Sequence, residues 1–368
     1  MDRKAPKSSR PLRIHEWATH VPKVKVTRLK AQADVALDRL VVAPGQSVRV
    51  KTDRETGMVS LIARTSEIGV HRFPPSIRTV KVPTSAMKKK EALAEHEGFR
   101  PLHLPLAQFP KTLPRELRRP PRFGQKALRG RSLATNIFGT DDRYTFSDTS
   151  FPWCTCGRVD TAAGWGSGVM VGPRHMMTAS HVVPWGPNNT AGWLNFTPLY
   201  FDGSAPFGVA SVQTIYWWKQ NNPPSISDND VAFDYVVCVL DSRMGNLTGW
   251  MGSRGYDSGW NGGNYWGHVG YPTDLAGGKR PAFIGYQSFI DTETESTGGR
   301  DSYLIDHDID VIPGQSGGPY FGWWANEPWP RVVSIQSGQQ HGGPTGPNDC
   351  GGGNPLSDLI NYALTAAP

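Results

Sequence analysis

Hydrophobic and polar positions alternate over short distances through the last two thirds of the chain. Apolar-rich segments recur there, and glycine, proline, asparagine and aspartate separate them. The segments are GWGSGVMVG, HMMTASHVV, GVASVQTIYWW, VAFDYVVCVL, WGHVGY, AFIGYQSFI, SYLIDHDI and RVVSIQSG. Many short strands with regular turns are typical of a sandwich or a barrel. We therefore predict an all-β fold for residues 132–368, with a single short C-terminal helix over NPLSDLINYALTA.

The first 131 residues show a different pattern. RLVVAPGQSVRVKTD and MVSLIARTSEIGVHRF alternate apolar and polar residues around turn signals, which predicts a few strands. TSAMKKKEALAEHEGF predicts one short helix that starts at Thr84 or Ser85. Residues 1–40 are basic and lack periodicity, which predicts a mobile start. Residues 101–131 are rich in proline and arginine, which predicts an extended, protease-accessible linker.

Charge and aromatic content change at the same place. Residues 1–131 carry 29 Lys and Arg against 11 Asp and Glu, a net charge of +18. Residues 132–368 carry a net charge of −11 and hold 12 of the 13 tryptophans. We therefore predict two regions, a basic segment at 1–131 and a β domain at 132–368. Their opposite charges predict an association that weakens at high salt.

Several partners are not predicted. No basic helix, zinc finger or aromatic-interleaved patch accompanies the basic charge, so we do not expect nucleic-acid binding. No apolar run approaches the roughly 18 residues of a membrane helix, so we expect no membrane partner. The basic N-terminal stretch also lacks the apolar core of a signal peptide.

The cysteines and the sequons fit a secreted glycoprotein. Their spacing does not match a zinc site, so one or two disulfides are expected, with three pairings open. The cysteines are Cys154, Cys156, Cys238 and Cys350. Three asparagine sequons begin at Asn188, Asn195 and Asn246.

Three residues, in order along the β domain, predict acyl-transfer chemistry. Ser316 lies between glycines in GQSGG, where the amides of Gly314 and Ser316 can form an oxyanion hole. His181 in MTASHVV offers a general base, and Asp234 in FDYVVCVL offers a carboxylate to orient it. The nucleophile elbow of α/β-hydrolases shares the G-x-S-x-G pattern, but it needs Asp and His after the serine. Only 52 residues follow Ser316, without alternating helices.

Residues 136–368 resemble the glutamyl-endopeptidase (V8-like) branch of the chymotrypsin-like serine proteases. The shared motifs are NIFGTDDR, SGVMVGPRHMMTASHVV, FDYVVCVL, VGYPTD and DVIPGQSGGPYF. The resemblance implies a double antiparallel β-barrel with the active site between the barrels. It also implies secretion and a removable pro-segment, here residues 1–131. By motif, it assigns the nucleophile to Ser316, the general base to His181 and the orienting carboxylate to Asp234.

Gln315 departs from trypsin-type enzymes, which carry an aspartate before the nucleophile. A neutral amide cannot form an ion pair with a newly cleaved N-terminus, although it can donate and accept hydrogen bonds. We therefore expect latency to come from residues 1–131, acting as an intramolecular inhibitor. Maturation is expected after Arg129 or Arg131.

The predicted substrate pocket comprises Val311, Gln336 and Ser337. In glutamyl endopeptidases a histidine and a Thr or Ser support the preference for acidic residues, and Gln336 and Val311 stand in those places here. A desolvated carboxylate needs a cation or several donors. We therefore predict an uncharged polar or apolar P1 residue. If the enzyme preferred glutamate, His341 or Arg331 would be the first candidates for the missing charge.

The sequence thus predicts a secreted, monomeric serine endopeptidase that is made as a zymogen and acts on proteins or peptides without a cofactor or metal. For the acidic run DHDID, at 306–310, a solvated strand face is favoured over a calcium site. The alternative function is a catalytically inactive, protease-like binding protein.

Overall fold

The computed structural model describes residues 10–20, 46–52, 59–65, 77–86, 93–108, 137–222, 227–339 and 347–368. Several predictions concern residues outside these ranges. They include most of the basic start, the second part of the predicted linker, both maturation sites (Arg129 and Arg131) and His341.

Strands dominate the described residues. In chain order they are β1 Gln46–Thr52, β2 Val59–Thr65, β3 Ile77–Lys81, β4 Glu95–His96, β5 Tyr144–Thr145, β6 Cys156–Thr161, β7 Gly164–Met170, β8 His175–Thr178, β9 Trp185–Gly186, β10 Thr190–Ala191, β11 Leu194–Pro198, β12 Ala210–Trp217, β13 Val236–Leu240, β14 Gly252–Arg254, β15 Trp266–Gly270, β16 Ala282–Gln287, β17 Phe289–Thr297, β18 Arg300–His307, β19 Pro319–Gly322, β20 Arg331–Gln339 and β21 Asn348–Gly352. The α-helices of the described residues are α1 Ile14–Trp17, α2 Asp228–Ala232, α3 Gly245–Thr248 and α4 Asn354–Ala366. Short 3-10 turns lie at Thr84–Ala86, Trp153–Thr155, Ser180–Val182, Ser258–Trp260 and Ala276–Gly278.

The first sheet closes into a six-stranded barrel. Its order is β11-β6-β7-β8-β13-β12, and β11 pairs back with β12. Aliphatic side chains on alternate positions fill the interior, as expected for strands that bury one face. This core includes Val159, Met170, Phe196, Val212, Ile215 and Leu240.

The second sheet carries an aromatic core. Its order is β17-β18-β21-β20-β19-β15-β16-β5, and β14 pairs with β20 and β4. Ring pairs bury large areas in offset and edge-to-face contacts. This core includes Tyr256, Trp260, Trp266, Phe289, Tyr320 and Trp324.

These two sheets confirm the predicted all-β fold, with a closed antiparallel barrel, a second sheet and a short C-terminal helix. Helix α4 spans the thirteen residues that the sequence indicated, with Pro355 in its first turn. It buries Leu356, Leu359, Ile360 and Ala363, a spacing that puts them on one helical face. No helix among the described residues has the length and apolar character needed to span a membrane.

Parts of the N-terminal region form regular structure. β1 and β2 pair as an antiparallel hairpin, as the alternation predicts. At the two ends of the helix predicted from Thr84, residues 84–86 form a 3-10 turn and 95–96 form β4, while its residues 87–92 lie outside the described ranges. Residues 10–20 contain α1, where the sequence suggested a mobile start. The boundary at residue 131 stays a prediction.

The expected disulfides are absent from the structure, where all four cysteines are free and buried. The physical reason is that the side chains are spread over three cores, and the two that share one, Cys154 and Cys156, are separated by a single residue, a poor geometry for bonding each other. Cys238 packs inside the first barrel and Cys350 inside the aromatic core. Cys154 and Cys156 pack in a third cluster, and the Sγ of Cys154 donates to the carbonyl of Thr248.

The predicted glycosylation sites differ in exposure. Asn188 and Asn246 are exposed, whereas Asn195 is buried in β11 and accepts a hydrogen bond from the hydroxyl of Ser211. Of the three sequons, the one at Asn195 is therefore inaccessible in the folded chain.

Candidate active site

His181 and Asp234 come together because their strands are neighbours. His181 lies in the 3-10 turn that follows β8, and Asp234 lies two residues before the start of β13. The two strands pair antiparallel, with Thr178 opposite Val236. The end of β8 therefore lies beside the start of β13.

Both carboxylate oxygens of Asp234 engage His181. Oδ2 lies 2.6 Å from Nδ1 of the ring, and Oδ1 accepts from the His181 backbone amide at 2.9 Å. The ring is partly exposed, at 17%, while Asp234 is fully buried. This arrangement fixes the orientation of the ring and leaves Nε2 on the side away from Asp234.

Electrostatics couple this pair. Burial alone would lower the pKa of His181, but the carboxylate and its hydrogen bond outweigh burial, so the pKa is raised. For Asp234, burial acts to raise the pKa, whereas the charge and hydrogen bonds of His181, with a hydrogen bond from Ser337, lower it. The structure thus favours a charged carboxylate beside a more basic imidazole.

Two further side chains hold Asp234. The Nδ2 of Asn221 donates to Oδ1 at 2.9 Å, and the hydroxyl of Ser337 donates to Oδ2 at 2.5 Å. Asn221 is itself anchored, because its backbone amide donates to the hydroxyl of Ser180. Asn221 carries no local motif that would mark it in the sequence, and Ser337, predicted as a pocket residue, donates to the carboxylate.

Strand β7 links the Ser316 loop to the end of β8. The backbone amide of Ser167 donates to the carbonyl of Ser316 at 2.7 Å, and its hydroxyl donates to the carbonyl of Gly314 at 2.8 Å. The hydroxyl of Thr178 donates to the carbonyl of Ser167. Gly317, at φ +84°, lies directly against Thr178, where a Cβ would collide. These contacts bring the Ser316 loop to the strand end that carries His181.

The Ser316 loop presents free polar atoms. Gly314 has φ +99°, and a Cβ there would collide with the carbonyl of Tyr271, so the turn requires glycine. Among the described residues, no hydrogen bond occupies the amides of Gly314 and Ser316 or the Ser316 hydroxyl. Catalytic hydrogen bonds are often long without substrate, so the missing bond between Ser316 and His181 is compatible with a catalytic role.

The curated relatives support the predicted resemblance. The chain is 25% identical over 188 residues to the glutamyl endopeptidase of Bacillus licheniformis, which covers 50% of this chain and 54% of that protein. It is 25% identical over 197 residues to a Bacillus subtilis protein named extracellular metalloprotease, covering 51% and 58%. The chain is similar to glutamyl endopeptidases. It spans about half the length of the curated relatives it matches, and no family model matches it.

Among solved structures, the chain matches a Glu endopeptidase in complex with MPD. Its TM-score is 0.47 at 20% identity, and the match covers 62% of this chain and 98% of that one. The protease Anisep from Arthrobacter nicotinovorans has a TM-score of 0.42 at 18% identity, covering 60% and 99%.

Gln315, next to Ser316, is held by a cation from the start of the β domain. Its Oε1 accepts from Arg143 at 2.8 Å and from the backbone amide of Ile312 at 3.0 Å. The buried guanidinium also forms ion pairs with Asp141 and Asp274. The Gln315 amide, which the sequence singled out, is thus a hydrogen-bond acceptor for an internal arginine.

Asp310 anchors the same stretch of chain. Its carboxylate accepts from the backbone amides of Phe138 and Asp142, at 2.7 and 3.0 Å. Burial, with the nearby charges of Asp141 and Asp142, raises its pKa to about 7 although the two amides act to lower it. Residues 138–143 therefore pack along the loop that precedes Ser316.

The predicted pocket residues are buried, and Gln336 is occupied. Its Oε1 accepts from the hydroxyl of Tyr320 at 2.6 Å and lies 3.1 Å from Nε2 of His307. Because Nδ1 of His307 accepts a hydrogen bond from the backbone amide of Ile309, Nε2 carries the proton and donates to Gln336. Burial lowers the pKa of His307 to about 3, so the ring is neutral. Val311 is 5% exposed.

The acidic run 306–310 does not gather into one site. Asp306 lies opposite Asp349 in the pairing of β18 with β21, whereas Asp310 faces residues 138–142. No group of three or more His, Cys, Asp or Glu side chains that could hold a metal ion occurs in the part of the chain that the structure describes.

Proposed function

We propose that this chain is a serine endopeptidase that works through Ser316, His181 and Asp234. The observation that carries the proposal is the contact of His181 with the buried Asp234, at 2.6 Å, beside a loop that presents Ser316. The similarity to a glutamyl endopeptidase supports it. The name of the Bacillus subtilis relative suggests metal-dependent hydrolysis as an alternative. The described residues, however, include no group of three or more His, Cys, Asp or Glu side chains that could hold a metal ion.

The first half of the reaction forms an acyl-enzyme. The Ser316 Oγ attacks the carbonyl carbon of the scissile peptide bond while Nε2 of His181 takes its proton. The amides of Gly314 and Ser316 stabilise the negative charge on the carbonyl oxygen. The C–N bond then breaks as His181 returns the proton to the leaving nitrogen, and Asp234 stabilises the transient imidazolium.

The second half releases the acid product. A water molecule gives a proton to Nε2 of His181 and attacks the acyl carbon of the ester. The tetrahedral intermediate collapses, the bond to the Ser316 Oγ breaks, and that oxygen regains the proton from His181. The enzyme returns to its starting state with a free carboxylic acid as the product.

Labelling with a serine-directed fluorophosphonate tests the assignment. Wild type should be labelled at Ser316, and Ser316→Ala should not be, while both keep the same circular dichroism spectrum. His181→Ala should slow labelling by a factor on the order of 10³ or more. If the folded wild-type protein is not labelled either before or after a cut following Arg131, the alternative function, an inactive protease-like binding protein, is favoured.

We propose an uncharged polar or apolar P1 residue for the substrate. The only donor of the Gln336 side chain, Nε2, already donates to the carbonyls of Gly338 and Asp349, and Val311 is apolar. Arg331, a candidate for the missing charge, is buried and pairs with Glu327, so its cation is committed elsewhere. A peptide library assayed with the processed enzyme tests this, and dominant cleavage after glutamate would refute it.

We propose that the protein is exported and made as a zymogen, with residues 1–131 conferring latency. The similarity to an extracellular protease supports export. The rate of fluorophosphonate labelling should rise after a cut following Arg131 in the purified full-length chain. Equal rates before and after complete cutting would refute latency while leaving the protease proposal intact.

A further inference from the structure

The first described stretch of the N-terminal region docks on the second sheet. Ile14 and Trp17 are 1% and 3% exposed, and the Trp17 ring stacks on Phe321 with centroids 5.7 Å apart. The backbone amide of Leu12 donates to the carbonyl of Trp323 at 2.7 Å. These contacts involve β19 and the residues directly after it.

A second stretch joins the sheet of the first barrel. β3 pairs parallel with β12 and antiparallel with β10, so it lies between them in the hydrogen-bonded order. Ile77 and Val82 are buried, and the amide of Val82 donates to the carbonyl of Trp217 at 2.9 Å. A backbone ladder of this kind is the same interaction that holds the barrel itself.

The third stretch, 93–108, runs along α4 and the second sheet. Ala94 is fully buried, its amide donates to Oδ1 of Asn354 at 2.8 Å, and its carbonyl accepts from Gly255. Further along, Phe99 exchanges two backbone hydrogen bonds with Trp250, each 2.9 Å long. The N-terminal region therefore contacts both sheets at three separate places.

The net charges suggest that cations of the N-terminal region pair with acids of the β domain, but the contacts differ. The ion pairs between the two regions, within the described residues, have the opposite sign: Glu95 of the N-terminal region contacts Arg254 and Arg331 of the β domain. The other contacts are backbone hydrogen bonds, buried apolar side chains, hydrogen bonds between a side chain and the backbone, such as that of Arg331 to the carbonyl of His96, and the contact of Lys81 with the ring of Trp217. Salt screens such contacts far less than it screens surface charge pairs.

The docked stretches also leave the candidate active site free. Across the described residues, their hydrogen bonds and ion pairs go to other parts of the β domain and involve none of His181, Asp234 and Ser316. A segment that acted only by blocking the active site would not need to pair with strands of both sheets away from that site.

We propose that the three docked stretches, 10–20, 77–86 and 93–108, form an intramolecular clamp that stays bound to the β domain after the chain is cut at residue 131. The processed protein is then a non-covalent complex of two chains. This inference does not rest on catalysis, and a cut can relieve latency while the clamp remains in place.

Coproduction of the protein as two chains tests the clamp. Residues 1–131 carry an affinity tag and residues 132–368 carry none, so the complete sequence is present. We expect the untagged chain to elute with the tagged chain in equal amounts, both at low salt and in 1 M NaCl. Free soluble 132–368, an insoluble 132–368 chain, or separation in 1 M NaCl would each overturn the proposal.

Matched substitutions in the tagged chain sharpen the test. Trp17→Ala with Ala94→Asp should lower recovery of the untagged chain about tenfold or more, since a carboxylate would be buried beside Asn354. Leu102→Asp is the control, because Leu102 is 90% exposed and its variant should bind like wild type. If the tagged chain with Trp17→Ala and Ala94→Asp recovers as much untagged chain as the wild-type tagged chain does, the clamp proposal is also overturned. Coelution does not depend on activity, so the result stands whether or not Ser316 is labelled.

Discussion

Buried carboxylates in the two sheets have opposite electrostatic environments. Asp234, in the first barrel, accepts four hydrogen bonds from His181, Asn221 and Ser337, and its pKa is lowered. Asp349, in the second sheet, lies opposite Asp306, and burial with that carboxylate raises its pKa. Both side chains are buried, so burial alone does not decide their ionisation.

The difference shows where the fold provides for a charge. Three residues from separate parts of the chain supply donors to Asp234, whereas Asp349 and Asp306 lie opposite each other, and the pKa of each is raised by burial and by nearby carboxylates. Perturbed carboxylates often mark functional sites. Here the lowered pKa belongs to Asp234, in the candidate site. The raised pKa belongs to Asp349, which lies opposite another carboxylate because their strands pair.

Replacing the ionised carboxylate should have the largest effect. Asp234→Asn is expected to lower kcat by a factor on the order of 10⁴, because the neutral amide favours the wrong imidazole tautomer. The pKa of His181 should fall, since burial remains and the attraction is lost, so residual activity should extend to lower pH. A pH–rate profile measures both effects. An unchanged acid limb would mean that Asp234 does not set the basicity of His181.

Arg143 tests whether a cation in the second sheet supports the nucleophile loop. Arg143→Ala removes the donor to Gln315 and leaves Asp141 and Asp274 without their partner. We expect kcat to fall about 10- to 100-fold, from the loss of about 1.5–3 kcal/mol in a charged hydrogen bond.

The control for Arg143 is Arg280→Ala, which removes the exposed pair with Asp202. Its kcat should equal that of wild type, because exposed ion pairs contribute little. Equal kcat in the Arg143 variant would show that the loop holds its conformation without the cation.

Asn221 tests how many donors the ionised carboxylate needs. Asn221→Ala should lower kcat about tenfold with little change in KM, since one of four hydrogen bonds to Asp234 is lost. Asn221→Asp should cost more, because it places a second carboxylate against the first. Steady-state kinetics distinguish the two variants. If both behave alike, Asn221 acts by packing rather than by charge.

In the second sheet the expected effect is on stability rather than on rate. The folded-state pKa of Asp349 is raised, so its contribution is complete below the ordinary range of an aspartate and is lost as the pH rises. Between about pH 5 and 8, the free energy of unfolding should fall less in Asp349→Asn than in the wild type, by on the order of 1–3 kcal/mol. Denaturant titrations across this range test it, with the exposed Asp202→Asn as the control.

Local patterns predicted much of the molecule. The strand segments and α4 follow from apolar alternation and spacing, and His181, Asp234 and Ser316 follow from short motifs. What the sequence could not show is long-range. Arg143 and Asn221 carry no motif, and they matter only because the fold brings them to Gln315 and Asp234.

The disulfide prediction failed for a related reason. Spacing along the chain cannot say that Cys238 and Cys350 pack in different cores. Net charge likewise cannot show which charges pair, since the described ion pairs between the N-terminal region and the β domain use Glu95 rather than the many cations of that region.

The four free thiols have a practical consequence for handling the protein. Burial raises the pKa of the Cys156 thiol to about 12 and likewise raises that of Cys238, so neither reacts readily as a thiolate. We therefore expect folding to require no oxidant. The melting temperature should be the same with and without dithiothreitol. Alkylating reagents should leave the native protein unmodified until denaturant exposes its interior.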